Sequence, residues 1–223
     1  MKQMSESKFV ILALTLAGGL QDAYSYFVRD HVFANAQTGN IVLLGYYLVG
    51  GSFSNAMRYL FPILSFIIGV FIAELIHSLL KNNHLLHWRQ IVLSLEVILL
   101  IVAAFMSTEL NILANSLLSF VCAMQVSAFK KAHENSLATT MCIGNLRSGT
   151  EYFCQFLVHH DKKMLYKSGY YFLIIIFFFI GAIIGGLLSE HLGIYTILIS
   201  AGVILICDIA LFIKPQTSPE INE

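Results

Sequence analysis

Asp22 is a carboxyl set beside Gln21 in a run that is otherwise apolar, FVILALTLAGGL before it and a tyrosine-rich stretch after it. A charge in the middle of a lipid-facing helix costs about 2.5–3.5 kcal/mol on insertion scales, so such a group faces protein or a wet cavity. Asn35, Thr38, Gly39 and Asn40 follow within ANAQTGNIVLLG, where amides and a hydroxyl run directly into Ile41-Val42-Leu43-Leu44. A second set, Gln125, Thr140, Gly144 and Asn145, lies about a hundred residues later. Groups of these types suit hydrogen bonding to a small solute. They do not form a catalytic pattern: there is no GxSxG, no Walker loop and no HExxH, and no histidine is placed to make an acid–base pair with Asp22. The HHDKK stretch at 159–163 reads as a solvated loop, so no metal and no cofactor is expected. Glu74, His77, Glu96 and Asp208 read as groups reaching the membrane interface, and Arg29 as a partner within reach of Asp22.

These groups must be positioned by membrane helices. The chain has 223 residues, 57% of them apolar and 12% charged, with a mean hydropathy of +0.76. That composition belongs to integral membrane proteins. Thirteen basic residues balance thirteen acidic ones, which argues against a nucleic-acid partner. The four cysteines have no CxxC spacing and lie in apolar surroundings, as free thiols do. The apolar start carries no A-x-A cleavage pattern and reads as a retained first span.

A helix crossing a hydrocarbon core of about 30 Å needs about 20 apolar residues. Six stretches approach this: Phe9 to Val28, Tyr59 to Leu80, Ile91 to Met106, Leu110 to Phe129, Gly169 to Leu188 and Gly193 to Ile213. Thr38 to Phe53 and Ile143 to Val158 are shorter or more polar. If all eight cross, Lys and Arg divide seven against six between the two sides. If only the six long ones cross, Arg29 and Arg58 alone face away from the termini, eleven against two. The second division obeys the positive-inside rule and predicts six spans with both termini cytoplasmic. Residues 214–223, with two prolines and no apolar run, read as a disordered tail.

The chain also resembles itself. GLQDAYSYF lies over AMQVSAFKK, TGNIVLLG over IGNLRSGT, IGVFIAELIHSLL over IGAIIGGLLSEHL, and VILLIVAAF over VILICDIAL, at offsets of 104, 105, 112 and 106. Two repeats follow, about 8–106 and 110–213, within one integral-membrane domain spanning 1–223. Three spans in each half would make them inverted in topology, with a solute path at their interface. Gly69 with Ala73, and Gly181 with Gly185, are spaced for close helix packing. The nine residues between Val28 and Thr38 are long enough to dip to the midplane, from which Thr38 or Asn40 caps a short returning helix. MCIGNLRSG would dip from the other side, and two helix N-termini meeting there would favour a polar or anionic solute.

The phrases GGLQDAYSYF and VFANAQTGNIVLLG resemble the YoaK-type family of bacterial membrane proteins of unknown function. The matching positions are Gly19, Asp22, Ala23, Phe33, Ala34, Asn35, Thr38, Gly39, Asn40 and Gly45; Gln37 departs from the apolar residue expected there. The resemblance implies a bacterial plasma-membrane location and no activity. The reading is therefore an all-α membrane protein of about six transmembrane helices and two short polar re-entrant segments. It is a transporter or channel for a small polar or anionic solute, its path lined by the two polar sets. The alternative is an assembly or sensing component in which those groups serve as packing glue. The lipid bilayer is the expected partner, and a homo-oligomer is compatible with the sequence.

Overall fold

The computed structural model describes residues 8–80, 88–129, 131–132, 135–136 and 142–213. They form eight α-helices: α1 Lys8–Val28, α2 Gln37–Val49, α3 Phe53–Leu80, α4 Trp88–Ala104, α5 Asn111–Ala128, α6 Cys142–His159, α7 Lys162–Leu192 and α8 Ile197–Ile213. Short 3-10 turns, Thr108–Leu110 and Gly193–Thr196, lead into α5 and α8. A two-residue antiparallel bridge, Lys131–Ala132 with Asn135–Ser136, departs from the all-helical expectation. Thr140 lies outside the described residues.

Local chemistry sets several boundaries. Asp161 caps α7, its carboxylate accepting the Lys163 N–H at 2.8 Å, so α7 begins one and a half to two turns before the apolar run does. Gly193 ends α7 with a φ of 52°, a left-handed conformation suited to glycine, and the chain reverses there.

Three continuous helical stretches are long and apolar enough to cross a membrane: Phe53–Leu80, Thr108–Ala128 and Lys162–Leu211, the last containing the Gly193 reversal. The surface is what lipid requires. Phe61, Leu64, Ile68 and Phe71 on α3, and Ile176, Phe179, Ile183 and Leu187 on α7, are exposed, whereas Thr15, Gln21, Ser25, Asn40 and Gln125 are buried. Exposed leucines cost nothing against lipid tails, and polar side chains are best satisfied between helices.

The helices pair in a definite pattern. α1 packs along α7 and α3 along α5; α2 lies on α3 and α6 on α7; α4 faces α8. The α1–α7 contact is backbone to backbone: a Cβ built on Gly181 would stand 2.0 Å from the Leu16 carbonyl oxygen, and one on Gly19 2.0 Å from that of Phe178. The expected small-residue packing is present in both halves, with Gly69 against the Phe120 carbonyl and Gly185 against Leu20. Leu16 faces Gly181 and Leu20 faces Gly185, so α1 and α7 run parallel. Gln21 bonds Glu96 and Arg29 bonds Ala103, so α4 also runs parallel to α1. Asn115 bonds Arg29 while Gln125 bonds Leu14, so α5 is antiparallel to α1. Ser94 bonds Asp208 while Phe105 meets Tyr195, so α8 is antiparallel to α4.

Candidate functional site

The polar phrase after α1 is a loop that turns back into the protein. Asp30 and His31 take φ values of 62° and 57°, reversing the chain without a glycine. Residues 32–36 then retrace α1. The Ala34 N–H donates to Ser25 Oγ at 3.1 Å, the Asn35 N–H to Asp22 Oδ1 at 2.7 Å, and Asn35 Nδ2 to the Gly18 carbonyl at 2.8 Å. Gly18 precedes the end of α1 at Val28 by ten residues, or about 15 Å at 1.5 Å per residue. From that depth α2 returns over 13 residues, about 20 Å, too short to cross a core of about 30 Å.

Asn40 and Gln37 hold this loop. Asn40 is fully buried in the first turn of α2; its Oδ1 accepts the Phe33 N–H at 3.0 Å, and its Nδ2 donates to the Phe33 carbonyl at 2.7 Å and to Gln37 Oε1 at 3.0 Å. Gln37 Nε2 donates to the Ala34 carbonyl and to Ser119 Oγ, and that hydroxyl donates to the same carbonyl. The expectation that Thr38 or Asn40 caps the helix is corrected: α2 starts at Gln37, its N-cap is Ala36, and no side chain caps it. Asn40 instead satisfies backbone upstream of the helix, which non-helical backbone at this depth requires. The polar residue at 37 is explained by its bonds across to α5.

Beside the loop is a cavity of about 770 Å³. Asp22, Asn35, Gln37 and Thr38 line it from the first part of the chain, and Cys142, Ile143 and Gly144 from the start of α6. Tyr26, Phe27, Phe33, Phe66 and Phe178 supply aromatic walls, with Tyr26 and Phe33 stacked at 5.0 Å. The first turns of two helices therefore open onto one space. A Cβ added to Gly144 would meet nothing within 4 Å, whereas one on Gly39 would meet the Phe33 ring at 2.9 Å.

Of the expected site residues, Asp22, Asn35, Thr38 and Gly144 border the cavity, while Gln21, Gly39, Asn40, Gln125 and Asn145 are not among its lining. Gln21 sits between helices, its Nε2 donating to Glu96 Oε1 at 3.2 Å and Ser200 Oγ at 3.1 Å. Gln125 Nε2 reaches the Leu14 carbonyl at 3.5 Å, and Asn145 is buried. Glu96 is fully buried against Gln21 rather than interfacial, and Asp208 is buried with its Oδ2 accepting from Ser94 at 2.7 Å. Glu96 is placed by its bond to Gln21 on α1 and Asp208 by the α4–α8 contact, neither of which hydropathy alone reveals. Glu74 and His77 do approach each other, at 4.0 Å.

Arg29 does not pair with Asp22. It is fully buried at the end of α4, where Nε donates to the Tyr24 hydroxyl, one terminal nitrogen to Asn111 Oδ1 and the Ser107 carbonyl, and the other to the Ala103 and Met106 carbonyls. These use all five guanidinium donors, and they place a cation at the negative end of a helix. Sequence reasoning missed this role, together with Asn115 and Ser119. Their signal was the spacing of Asn111, Asn115 and Ser119, four apart on one face of an apolar helix. It also missed the walls Phe66 and Phe178, whose signal was their shared place in the repeat.

Over 217 residues the chain is 30% identical to the UPF0700 transmembrane protein YoaK of Bacillus subtilis (strain 168), covering 93% of this chain and 94% of that one. No solved structure matches it. A family model described as "Protein of unknown function (DUF1275)" matches residues 10–210, and with the transmembrane relative it establishes that the chain belongs to that family.

Proposed function

We propose that the protein is a transporter or channel for a small polar solute, built as two inverted halves of three transmembrane helices and one re-entrant helix each. The observation that carries this reading is a cavity of about 770 Å³ lined by the starts of both α2 and α6 and by Phe66 and Phe178. That volume is typical of small-molecule sites. Cavities of this kind at a repeat interface near the midplane are where secondary transporters bind solute.

Element packing supports the repeat. Leu16 and Phe120, 104 residues apart, offer their carbonyls to Gly181 and Gly69, 112 apart. Tyr47 stacks on Tyr59 at 5.6 Å and 13°, and Tyr152 on Tyr171 at 5.7 Å and 16°, again offset by 105 and 112. The cavity walls keep the offsets too: Thr38 with Ile143, and Phe66 with Phe178.

Helix direction supports inversion. With eight full spans, α4 and α8 would run the same way and α1 and α4 opposite ways. Their contacts run antiparallel and parallel respectively, as three spans per half require. The eleven-to-two division of Lys and Arg supports a reading with both termini on the cytoplasmic side of a bacterial plasma membrane.

Gly144→Trp provides the test, because its side chain enters open space instead of packed backbone. Reconstituted in liposomes, the protein is expected to conduct a small polar solute from a panel, and Gly144→Trp to lose that flux with an unchanged thermal midpoint. Flux persisting in Gly144→Trp, or no solute crossing with the native chain, overturns the reading.

A further inference from the structure

We infer that the Asp22 cavity binds a small organic cation with an apolar body, an inference resting on the cavity's role as the solute site. The lining carries one acidic side chain, Asp22, beside Asn35, Gln37 and Thr38. Asp22 borders the cavity as a carboxyl whose Oδ1 accepts the Asn35 N–H. Asn35 spends its amide nitrogen on the Gly18 carbonyl, and its buried Oδ1 has no partner. Gln37 spends its amide nitrogen on Ala34 and Ser119. Among the described residues no Lys, Arg or His lines the cavity, and Arg29, the basic residue nearest in sequence, has all five donors engaged elsewhere.

Around those acceptors stand aromatic rings, Tyr26, Phe27, Phe33, Phe66 and Phe178. Aromatic faces carry negative quadrupole potential and attract ammonium groups most strongly where water is excluded. The first turns of α2 and α6 both open here, each with a dipole of about half a positive charge. An anion would gain those partial charges but would meet the Asp22 carboxyl and the aromatic walls. A cation with an apolar body satisfies the carboxyl and the walls together.

The test compares three probes of similar shape on the purified full chain in detergent by calorimetry: benzyltrimethylammonium, its neutral carbon isostere neopentylbenzene, and phenylacetate. The cation is expected to bind at least about tenfold more tightly than either of the others, as a desolvated cation–π site implies. Asp22→Asn keeps the oxygen that accepts the Asn35 N–H and is expected to remove that preference. Phe66→Leu, which keeps an apolar wall, is expected to weaken cation binding several-fold with the thermal midpoint unchanged. Equal binding of cation and isostere, preference for phenylacetate, or an unaltered preference in Asp22→Asn overturns the inference. Binding of the cation without flux of any solute defeats the transport reading alone. Flux of a solute that the cation neither resembles nor competes with defeats this inference alone.

Discussion

At the scale of single residues, polar side chains in this protein divide into those that hold the fold and those that remain available to a ligand. Asn40 and Arg29 belong to the first group. Asn40→Ala leaves the Phe33 N–H and carbonyl without their partners at depth, and each unsatisfied group costs about 1–3 kcal/mol. Its thermal midpoint in detergent should fall clearly, whereas that of Thr38→Ala should stay near the native value. Loss of function in Asn40→Ala would thus report a collapsed loop. Arg29→Lys keeps the charge but has three donors for a site that uses five, arranged as a rigid fork. It should lower stability by at least about 2 kcal/mol, because charge-assisted hydrogen bonds are lost, measured by denaturant unfolding in detergent. The sequence pointed to Asp22, Asn35, Thr38 and Gly144 as members of one site because unmatched polar groups in an apolar stretch need a purpose. It did not separate them from Asn40, whose partner seven residues upstream is fixed by two left-handed residues, Asp30 and His31, neither of which is a glycine.

At the scale of elements, the packing of α1 on α7 depends on the absence of side chains at Gly19 and Gly181. Gly181→Ala puts a methyl where the Leu16 carbonyl lies and must force two helices apart, an overpacking cost of about 1–3 kcal/mol. Gly202→Ala, where nothing lies within 4 Å of the new methyl, is the matched control and should leave thermal unfolding unchanged. Most helices were legible as apolar stretches of about the right length, since hydropathy reports which residues tolerate lipid. The start of α7 was not, because its opening turns are polar and its boundary is set by the Asp161 cap. The start of α2 lies before the expected caps, Thr38 or Asn40, and four residues before Ile41, where the returning helix was expected to begin: Gln37 begins it because the preceding loop is pinned to α1 and α5.

At the scale of the whole molecule, the account rests on α2 and α6 entering and leaving on the same side. Repeat offsets, charge distribution and helix directions each support the proposed arrangement of two inverted halves. The first two of these were readable in the sequence, because offsets and charges are properties of the chain itself. The directions were not, since they depend on contacts such as Gln21 with Glu96 and Ser94 with Asp208 between residues far apart in sequence. The most direct measurement is side-specific labelling by a membrane-impermeant maleimide in intact cells, using a chain with its four native cysteines replaced and a single cysteine returned at Asp30, Ser52 or His159. Asp30 and Ser52 flank the loop and α2, and His159 ends α6. The account predicts that Asp30→Cys and Ser52→Cys label from outside while His159→Cys labels only after permeabilisation. Labelling of Asp30→Cys and Ser52→Cys from opposite sides would make α2 a full span and contradict it.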